Sequence, residues 1–519
     1  MAAITLEYPQ RVERWSVFEA SMQTPGHTGV NPFTDCIICG TFANGHESVT
    51  ADGFYDGDGI YRVRFMPSFT GEYRFTVKFA VKRDHAEEYG RAETAEGRFT
   101  VLPASENNHG LVRINGNHFV YEDGEPFFPV GTTCYAWTGQ SGDTQEKTLK
   151  TLAGGYFNKV RMCLFPKHYL HNLHEPATYP YEGTPCRFSG EITGNFMSLM
   201  RVQPGNDWDF TRFNPVHFRN FENRVLQLGE MGIQADIILF HAYDRWGFSQ
   251  MTPAQNNLYI RYVVARLAAY RNVWWSMANE YDLLRHLTIA DWEVLASTVC
   301  SHDPYNHLRS IHNCFSHYDH SRPWITHCSI QREDVYKCAE QTDEFRIRYK
   351  KPVVLDEIGY EGNIDQGWGN LSGKELLRRF WEAACRGGYA SHGETYLNHD
   401  TLWWSHGGQL FGESHPRLKF LHDEILGKIP GHGLKKLNLT WDDVTATIDS
   451  LVPSGFYLIY YGFFRPSYRD FFFDEECGYR VELIDTWEMT ITDMGVRKGA
   501  FRIPMPGKEY MAIRITKVS

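Results

Sequence analysis

Two apolar runs in this sequence each end in a carboxylate. Residues 273–278 are followed by Asn279 and Glu280, and residues 352–355 are followed by Asp356 and Glu357. A carboxylate at the end of an apolar strand is costly to bury unless it is paired and hydrogen-bonded, so its presence there points to a function. Two such groups can cleave an acetal, because one attacks the anomeric carbon while the other donates a proton to the leaving oxygen. We therefore predict that Glu280 and Glu357 are the catalytic pair of an enzyme acting on sugars, and that Asn279 reaches the sugar's 2-hydroxyl.

The elements that must position this pair alternate between strand and helix patterns from about residue 128 to 425, which is typical of a parallel α/β domain. Eight such strands fit a (β/α)8 TIM barrel better than a doubly wound sheet. Glu280 and Glu357 then lie at the ends of the fourth and seventh strands, which is where such barrels carry their chemistry. The eight predicted strands are residues 128–135, 157–164, 234–240, 273–278, 308–312, 325–330, 353–358 and 390–396.

Both flanks of this region have β patterns. Residues 60–65 and 73–79 alternate apolar and polar side chains, and short strand patterns return at 454–461 and 511–515. The predicted class is therefore α/β, with a TIM barrel flanked by two small all-β domains. The predicted domains are an immunoglobulin-like β-sandwich at 1–103, the catalytic barrel at 110–428 and a C-terminal β-sandwich at 429–519.

Charge and composition exclude several partners. The 52 basic and 63 acidic residues give a net charge of 52 − 63 = −11 without a long basic run, so no nucleic-acid partner is expected. No segment approaches the roughly 20 apolar residues of a membrane span, so no membrane partner is expected. Eleven cysteines and the absence of a visible signal peptide favour a cytoplasmic protein with reduced thiols. The oligomeric state stays open, with a homo-oligomer as one alternative.

Other motifs favour neither a cofactor nor a metal. Cys36 and Cys39 have CxxC spacing without a second pair, so buried thiols are favoured over zinc. His168, His171 and His174 recur in a long connection, where sugar contacts or solvated loop positions are favoured over a metal site. Glycine-rich nucleotide loops and a Gly-x-Ser-x-Gly elbow are absent.

Asn279-Glu280 and Glu357 resemble the active site of the clan A retaining glycoside hydrolases. The whole chain resembles bacterial proteins that combine an N-terminal immunoglobulin-like domain, an apiosidase-like barrel and a C-terminal β-sandwich. Segments 110–116, 128–135 and 303–313 carry this second resemblance. The resemblance implies a retaining mechanism in which Glu280 is the acid/base and Glu357 is the nucleophile.

The same resemblance implies a set of sugar-binding residues. Arg161 would hold the nucleophile's charge, and Trp403 or Trp404 would stack on the ring. The residues expected to reach hydroxyl groups are His241, with Tyr243 and Asp244 nearby, His312 on strand five and His327 on strand six. One departure is that Ser329 stands where many clan members have a tyrosine, so Tyr360 is expected to serve instead.

Four further carboxylates compete for a place in the site. Asp356 should turn away from the barrel axis because side chains alternate along a strand. Asp282, two residues past Glu280, is either a loop acid or a second sugar contact, and Glu361 is a further rival without an assigned role. Glu394 near strand eight is expected to contact hydroxyls of the terminal sugar.

We therefore expect a glycosidase of carbohydrate metabolism that hydrolyses O-glycosyl bonds in oligosaccharides or glycosides. Long connections and appended domains favour an exo-acting β-glycosidase. The alternatives are a furanosidase acting on arabinofuranose or apiose, a transglycosidase, and a non-catalytic carbohydrate-binding protein. The sugar and its linkage stay open.

Overall fold

A computed structural model describes residues 5–24, 30–82, 89–187, 201–334, 336–397, 402–438 and 443–518. The middle of the long connection, residues 188–200, lies outside the described residues, as do residues 1–4. The strands are β1 (Leu6–Glu7), β2 (Arg11–Glu13), β3 (Phe18–Gln23), β4 (Cys36–Ala43), β5 (Ser48–Tyr55), β6 (Ile60–Phe65), β7 (Gly71–Val81), β8 (Glu93–Leu102), β9 (Val112–Asn115), β10 (His118–Tyr121), β11 (Pro126–Phe127), β12 (Val130–Thr133), β13 (Lys159–Cys163), β14 (Tyr181–Thr184), β15 (Asp207–Phe213), β16 (Gln234–Phe240), β17 (Val273–Ala278), β18 (Arg309–Ser310), β19 (Cys328–Gln331), β20 (Val353–Glu357), β21 (Glu361–Gly362), β22 (Tyr389–His392), β23 (Glu394–Thr395), β24 (Leu434–Leu437), β25 (Val444–Ile448), β26 (Phe456–Tyr460), β27 (Tyr468–Phe472), β28 (Tyr479–Asp485), β29 (Thr490–Arg497), β30 (Ala500–Pro504) and β31 (Met511–Lys517). The helices are α1 (Gly142–Leu152), α2 (Pro215–Glu230), α3 (Pro253–Leu267), α4 (Ile289–His302), α5 (Thr342–Tyr349), α6 (Gly373–Cys385), α7 (Trp403–His406) and α8 (Ser414–Phe420).

The central sheet has eight strands in the order β18-β17-β16-β13-β12-β22-β20-β19. Strand pairs such as β12–β13, β16–β17 and β19–β20 are parallel. In chain order, barrel strands one to eight are β12, β13, β16, β17, β18, β19, β20 and β22, so each strand lies beside the next except at one opening. The prediction of a mixed α/β, TIM-like barrel is confirmed as a nearly closed, eight-stranded parallel barrel.

Continuous apolar runs form the barrel strands because a parallel sheet is covered on both faces. Every residue of β16 and β17 is buried. Three helices of the barrel each bury one apolar stripe. The stripes are Phe218, Phe221, Val225 and Leu228 on α2, Ile260, Val263, Val264 and Leu267 on α3, and Leu376, Leu377, Phe380, Trp381 and Ala384 on α6.

Local capping starts the barrel helices at defined residues. The Asn214 side chain accepts from the amide of Val216 at the start of α2, where Pro215 is the first helical residue. Thr252 and Thr288 form reciprocal capping boxes at α3 and α4. These caps satisfy amides that lack partners within the helix, so they set where each strand-to-helix loop must end.

The chain divides into two compact units. The first unit comprises Met1–Val112, Thr138–Gly142 and Met162–Cys314. It contains an N-terminal β domain with strand order β1-β3-β6-β5-β4-β7-β8-β2. Aromatic rings such as Phe18, Phe42 and Phe99 pack against one another there, as in the stacked Phe18–Phe99 pair. These aromatic side chains therefore form part of the core of the N-terminal β domain.

The second unit comprises Arg113–Trp137, Asp143–Arg161 and Phe315–Ser519. It contains a C-terminal six-stranded sheet, β24-β25-β26-β31-β28-β29, and the β27–β30 pair. β domains on both flanks of the barrel are thus confirmed, whereas the immunoglobulin-like class of the first stays a prediction.

Cys36 and Cys39 are half-buried free thiols on β4. Among the described residues no helix is long and apolar enough to cross a membrane.

The prediction for Asp356 is wrong. Its carboxylate accepts from Lys159 Nζ at 2.8 Å, from Ser391 Oγ at 2.8 Å and from Ser329 Oγ at 2.5 Å. β13 is not a sheet neighbour of β20, so Lys159 reaches Asp356 through the barrel interior, beside Gly131. Asp356 therefore points into the barrel interior, where it forms a fully buried ion pair with Lys159.

Candidate active site

The first unit presents Glu280 two residues after the end of barrel strand four. Its side chain is 6% exposed, and its backbone has φ +52°, in the left-handed region that side-chain-bearing residues rarely adopt. The Tyr243 hydroxyl donates to Glu280 Oε2, and Asn279 Nδ2 donates to the same oxygen at 3.2 Å. Such a backbone persists only where the surroundings enforce it, and this happens often at functional sites. Glu280 is thus a buried carboxyl that accepts from the neutral donors Tyr243 and Asn279.

The residues around Tyr243 are polar and buried. Lys167 Nζ lies 4.3 Å from the centre of the Tyr243 ring and 4.7 Å from that of Tyr169. His241 Nε2 lies 3.2 Å from the Phe165 carbonyl, to which it donates, and its Nδ1 has no hydrogen-bond partner within the described residues. Burial lowers the pKa of His241 to about 3, so the ring is neutral and Nδ1 can accept from a hydroxyl.

The second unit presents Glu357 as the last residue of barrel strand seven, 5% exposed. Tyr135, two residues after strand one, donates its hydroxyl to Glu357 Oε1. Arg161, in strand two and fully buried, places Nη1 3.9 Å from the same oxygen and 3.4 Å from the Tyr135 hydroxyl. A buried guanidinium at this distance favours a negative charge on Glu357. The sugar-binding role of Arg161 stays a prediction.

The phenol that contacts the nucleophile candidate is Tyr135, which the sequence reasoning missed. Burial and the Glu357 charge raise the pKa of Tyr135 well above its usual value, so the hydroxyl remains a donor. Tyr360, expected in this role, is fully buried and packs against Trp368 and Trp404. The Trp404 ring also meets the Tyr135 ring edge-on, with centroids 5.9 Å apart. Trp404 therefore packs against the side chain that contacts Glu357.

The placement predicted for His327 is wrong. β19 begins one residue after His327, so this histidine lies at the amino end of strand six, opposite to the end that carries chemistry. Its ring packs against Phe119 of the β10 hairpin. The carboxyl end of that strand instead carries Gln331, which pairs with Glu357 through a register shift. Burial, then the charge of Glu357 and then that of Glu333 raise the pKa of Tyr360 well above its usual value.

The remaining predicted positions have defined places. His312 continues the ladder after strand five, because its amide donates to the Ala278 carbonyl and its own carbonyl accepts from Tyr281. Asp282 accepts from the Cys314 amide at 2.7 Å. Trp403 is buried, and its indole nitrogen donates to Thr132 Oγ1 at 2.8 Å, so its ring belongs to the packed interior.

Past strand eight, Glu394 shares a buried cluster with Glu361 and His392. Burial raises the pKa of Glu394 to about 7 despite the amides of Phe411 and Gly412. The cluster of Glu361, His392 and Glu394 is the one set of three converging metal-ligand side chains found within the described ranges.

His168, in the long connection, is buried with its ring edge-on to Trp246.

A parallel barrel whose fourth and seventh strands each end in a buried, phenol-bonded glutamate has the features of the glycoside hydrolases. The sequence profile described as "Apiosidase-like, catalytic domain" matches residues 114–447, well over half of the chain. The chain therefore belongs to the apiosidase-like family and is a glycoside hydrolase at that level. Two domains of unknown function, DUF5060 and DUF5605, match residues 11–80 and 441–516.

Solved structures agree with this assignment. A protein from Bacteroides vulgatus ATCC 8482, described as a "putative glycoside hydrolase", is 39% identical to this chain. The match covers 98% of this chain and 100% of that one, with a TM-score of 0.86. A structure described as "Glycoside hydrolase" is 13% identical over 79% of this chain and 97% of its own, with a TM-score of 0.57, and it shows the fold alone. None of the curated proteins compared with the chain matches it in sequence.

Proposed function

We propose that this protein is a retaining, exo-acting β-glycosidase that removes a terminal sugar from oligosaccharides by double displacement. The observation that carries the proposal is the difference between the surroundings of the two carboxyls. Glu357 contacts a buried guanidinium and a phenol, which stabilise the charged form that a nucleophile needs. Glu280 contacts the neutral donors Tyr243 and Asn279 in a buried position, which suits a group that holds and releases a proton.

The proposed reaction has two steps. In the first, Glu280 protonates the glycosidic oxygen while Glu357 attacks the anomeric carbon. The bond between that carbon and the glycosidic oxygen breaks, the leaving group departs as an alcohol, and a covalent glycosyl-enzyme remains. In the second, Glu280 removes a proton from water, the water attacks the same carbon, and Glu357 leaves as a carboxylate. Asn279 is proposed to bind the 2-hydroxyl, and His241 Nδ1 to accept from another hydroxyl.

Paired variants test the two roles on whichever nitrophenyl glycoside the wild type hydrolyses. Glu357→Ala should abolish turnover, because no nucleophile remains. Glu280→Ala should keep activity on substrates with good leaving groups, and added azide should restore the rate and give a β-glycosyl azide. Glu344→Ala, which removes an exposed carboxylate on α5, is the matched control.

The outcomes separate the alternatives. Unchanged turnover in Glu357→Ala would overturn the nucleophile assignment, and an α-azide from a β-substrate would contradict retention. A wild type that binds sugars yet cleaves nothing across a broad panel would favour a non-catalytic binding protein. Transfer to added acceptors at high concentration would identify a transglycosidase.

A furanosidase is the second candidate, and the description of the family as apiosidase-like favours it. The nitrophenyl panel should therefore include arabinofuranosides and apiosides beside the common pyranosides. Turnover of furanosides alone would replace the pyranose version of the proposal while leaving the carboxylate roles intact.

A further inference from the structure

A second polar cluster lies just beyond barrel strands seven and eight. After these strands the chain continues as β21 and β23, which pair in parallel through Glu361 and Glu394. His392 is the last residue of strand eight. One potential ligand atom from each of these three side chains lies within 4.8 Å of the other two, and all three side chains are at most 1% exposed.

Two buried atoms of this cluster have no partner of ordinary hydrogen-bond geometry among the described residues: Glu394 Oε2 and His392 Nε2. The other oxygen of Glu394 accepts from the Phe411 amide at 2.5 Å, and the other nitrogen of His392 lies 3.1 Å from Thr132 Oγ1. A buried polar atom without a partner costs about 1–3 kcal/mol. One partner shared by these two atoms would remove both costs.

Glu361 supplies a firmly held carboxylate to the same cluster. Its Oε1 accepts from the Glu413 amide at 2.8 Å, and its Oε2 accepts from the Ser414 amide at 3.0 Å and from Ser414 Oγ at 2.6 Å. The hydroxyl of Tyr396 approaches Oε1 at a longer 3.4 Å. Two carboxylates this close in a buried site repel each other, and a cation between them removes that repulsion.

The histidine is oriented in the way that metal-bound histidines usually are. Thr132 Oγ1 accepts from the Trp403 indole at 2.8 Å and lies beside His392 Nδ1. With Nδ1 as the donor to Thr132, the lone pair of His392 is on Nε2. Such outer contacts fix the tautomer and ring orientation of a ligand histidine. This gives Trp403 a positioning role in place of sugar stacking.

We propose that Glu361, His392 and Glu394 bind one divalent metal ion that joins the extensions of barrel strands seven and eight. One imidazole nitrogen with two carboxylates is a mixed donor set that suits Zn²⁺ or Mn²⁺ better than ions that prefer oxygen ligands alone. The site differs from the catalytic pair and does not depend on the proposed glycosidase activity. The sequence had led us to expect no metal, because these ligands come from two separate strands.

The test uses the full-length protein after removal of metal with a chelator. Zn²⁺ and Mn²⁺ are titrated separately by calorimetry, and thermal unfolding is followed with and without each ion. We expect about one equivalent of one of the two ions and a higher melting temperature in its presence. Binding should weaken by more than about 100-fold in His392→Asn and Glu394→Gln, because even outer-shell changes cost roughly 10–100-fold.

The matched control is His415→Asn. His415 is a half-buried histidine that packs against Tyr156 near the cluster without belonging to it, so its loss should leave the affinity unchanged. No binding by the wild type up to about 1 mM, the weak end of specific sites, would overturn the proposal. Wild-type affinity in both His392→Asn and Glu394→Gln would also overturn it. If the variants do not fold, crystals soaked separately in ZnCl₂ and MnCl₂ decide. An anomalous peak bonded to Glu394 Oε2 and His392 Nε2 in either soak supports the site, and its absence from both refutes it.

Discussion

Replacing Tyr135 by phenylalanine removes one hydroxyl from the environment of Glu357 and leaves Arg161 in place. The hydroxyl donates to Glu357 Oε1, and its pKa is raised well above its usual range, so it remains a donor throughout the reaction. In the first proposed step, Glu357 loses its charge and this hydrogen bond weakens. In the second step the charge returns to the leaving carboxylate, so the bond strengthens in the transition state.

The expected loss therefore falls on the second step. A hydrogen bond to a charged group contributes about 1.5–3 kcal/mol, and each 1.36 kcal/mol changes a rate tenfold, so deglycosylation should slow by roughly 10- to 150-fold. kcat should fall by that factor if deglycosylation limits turnover. KM should fall with it because the glycosyl-enzyme accumulates, whereas kcat/KM, which reports the first step, should change much less.

Steady-state kinetics and rapid mixing on an active nitrophenyl glycoside measure these quantities. The phenylalanine variant should release a burst of nitrophenol, and mass spectrometry should find the sugar on Glu357. Tyr468→Phe, a half-exposed tyrosine of β27, is the matched control. A kcat within a factor of about two of wild type, or equal losses in kcat and kcat/KM at constant KM, would refute this assignment of the hydroxyl.

Three further predictions concern stability. Burial lowers the pKa of His217 to about 4, so the unfolded state binds more protons below pH 6.5 and stability falls with acid; the loss for this residue is about 2 kcal/mol at pH 5. Denaturant unfolding at pH 7 and pH 5 should show a smaller difference in His217→Gln, and equal differences would contradict this account. Lys159→Met leaves Asp356 buried without its cation and should lower the free energy of unfolding by about 3–5 kcal/mol. A decrease below about 1 kcal/mol in the same assay would count against this prediction. Gly131→Ala places a Cβ 2.3 Å from Ser391 Oγ and should cost about 1–3 kcal/mol; the loss should shrink when Ser391→Ala is added, and additive losses would exclude this clash.

Local patterns were informative wherever a strand is buried on both faces. β16 and β17 coincide with the predicted 234–240 and 273–278, because a continuous apolar run leaves little choice of boundary. Strand six was predicted three residues too early, at 325–330, since Ile325 and Thr326 read as strand residues although they precede it. That shift is why His327 was assigned to the wrong end of the barrel.

Alternation along a strand also misled the prediction for Asp356. Pairing of β19 with β20 shifts register between Ile330 and Gln331, so the simple rule does not hold at the end of strand seven. Asp356 is drawn inward by Lys159, a residue far away in the sequence and not on a neighbouring strand. A buried charge takes the direction in which it finds a partner, and a single strand's pattern does not contain that partner.

Local sequence patterns were enough to predict the parallel barrel and to place Glu280 and Glu357 at the ends of two strands, because burial on both faces of a strand imposes a local pattern. The groups that surround the two glutamates became visible in the folded chain alone. Tyr135 lies 222 residues before Glu357, and Glu361 meets His392 and Glu394 only because two strand extensions pair. Contacts over such separations follow from closure of the sheet, and no local spacing records them.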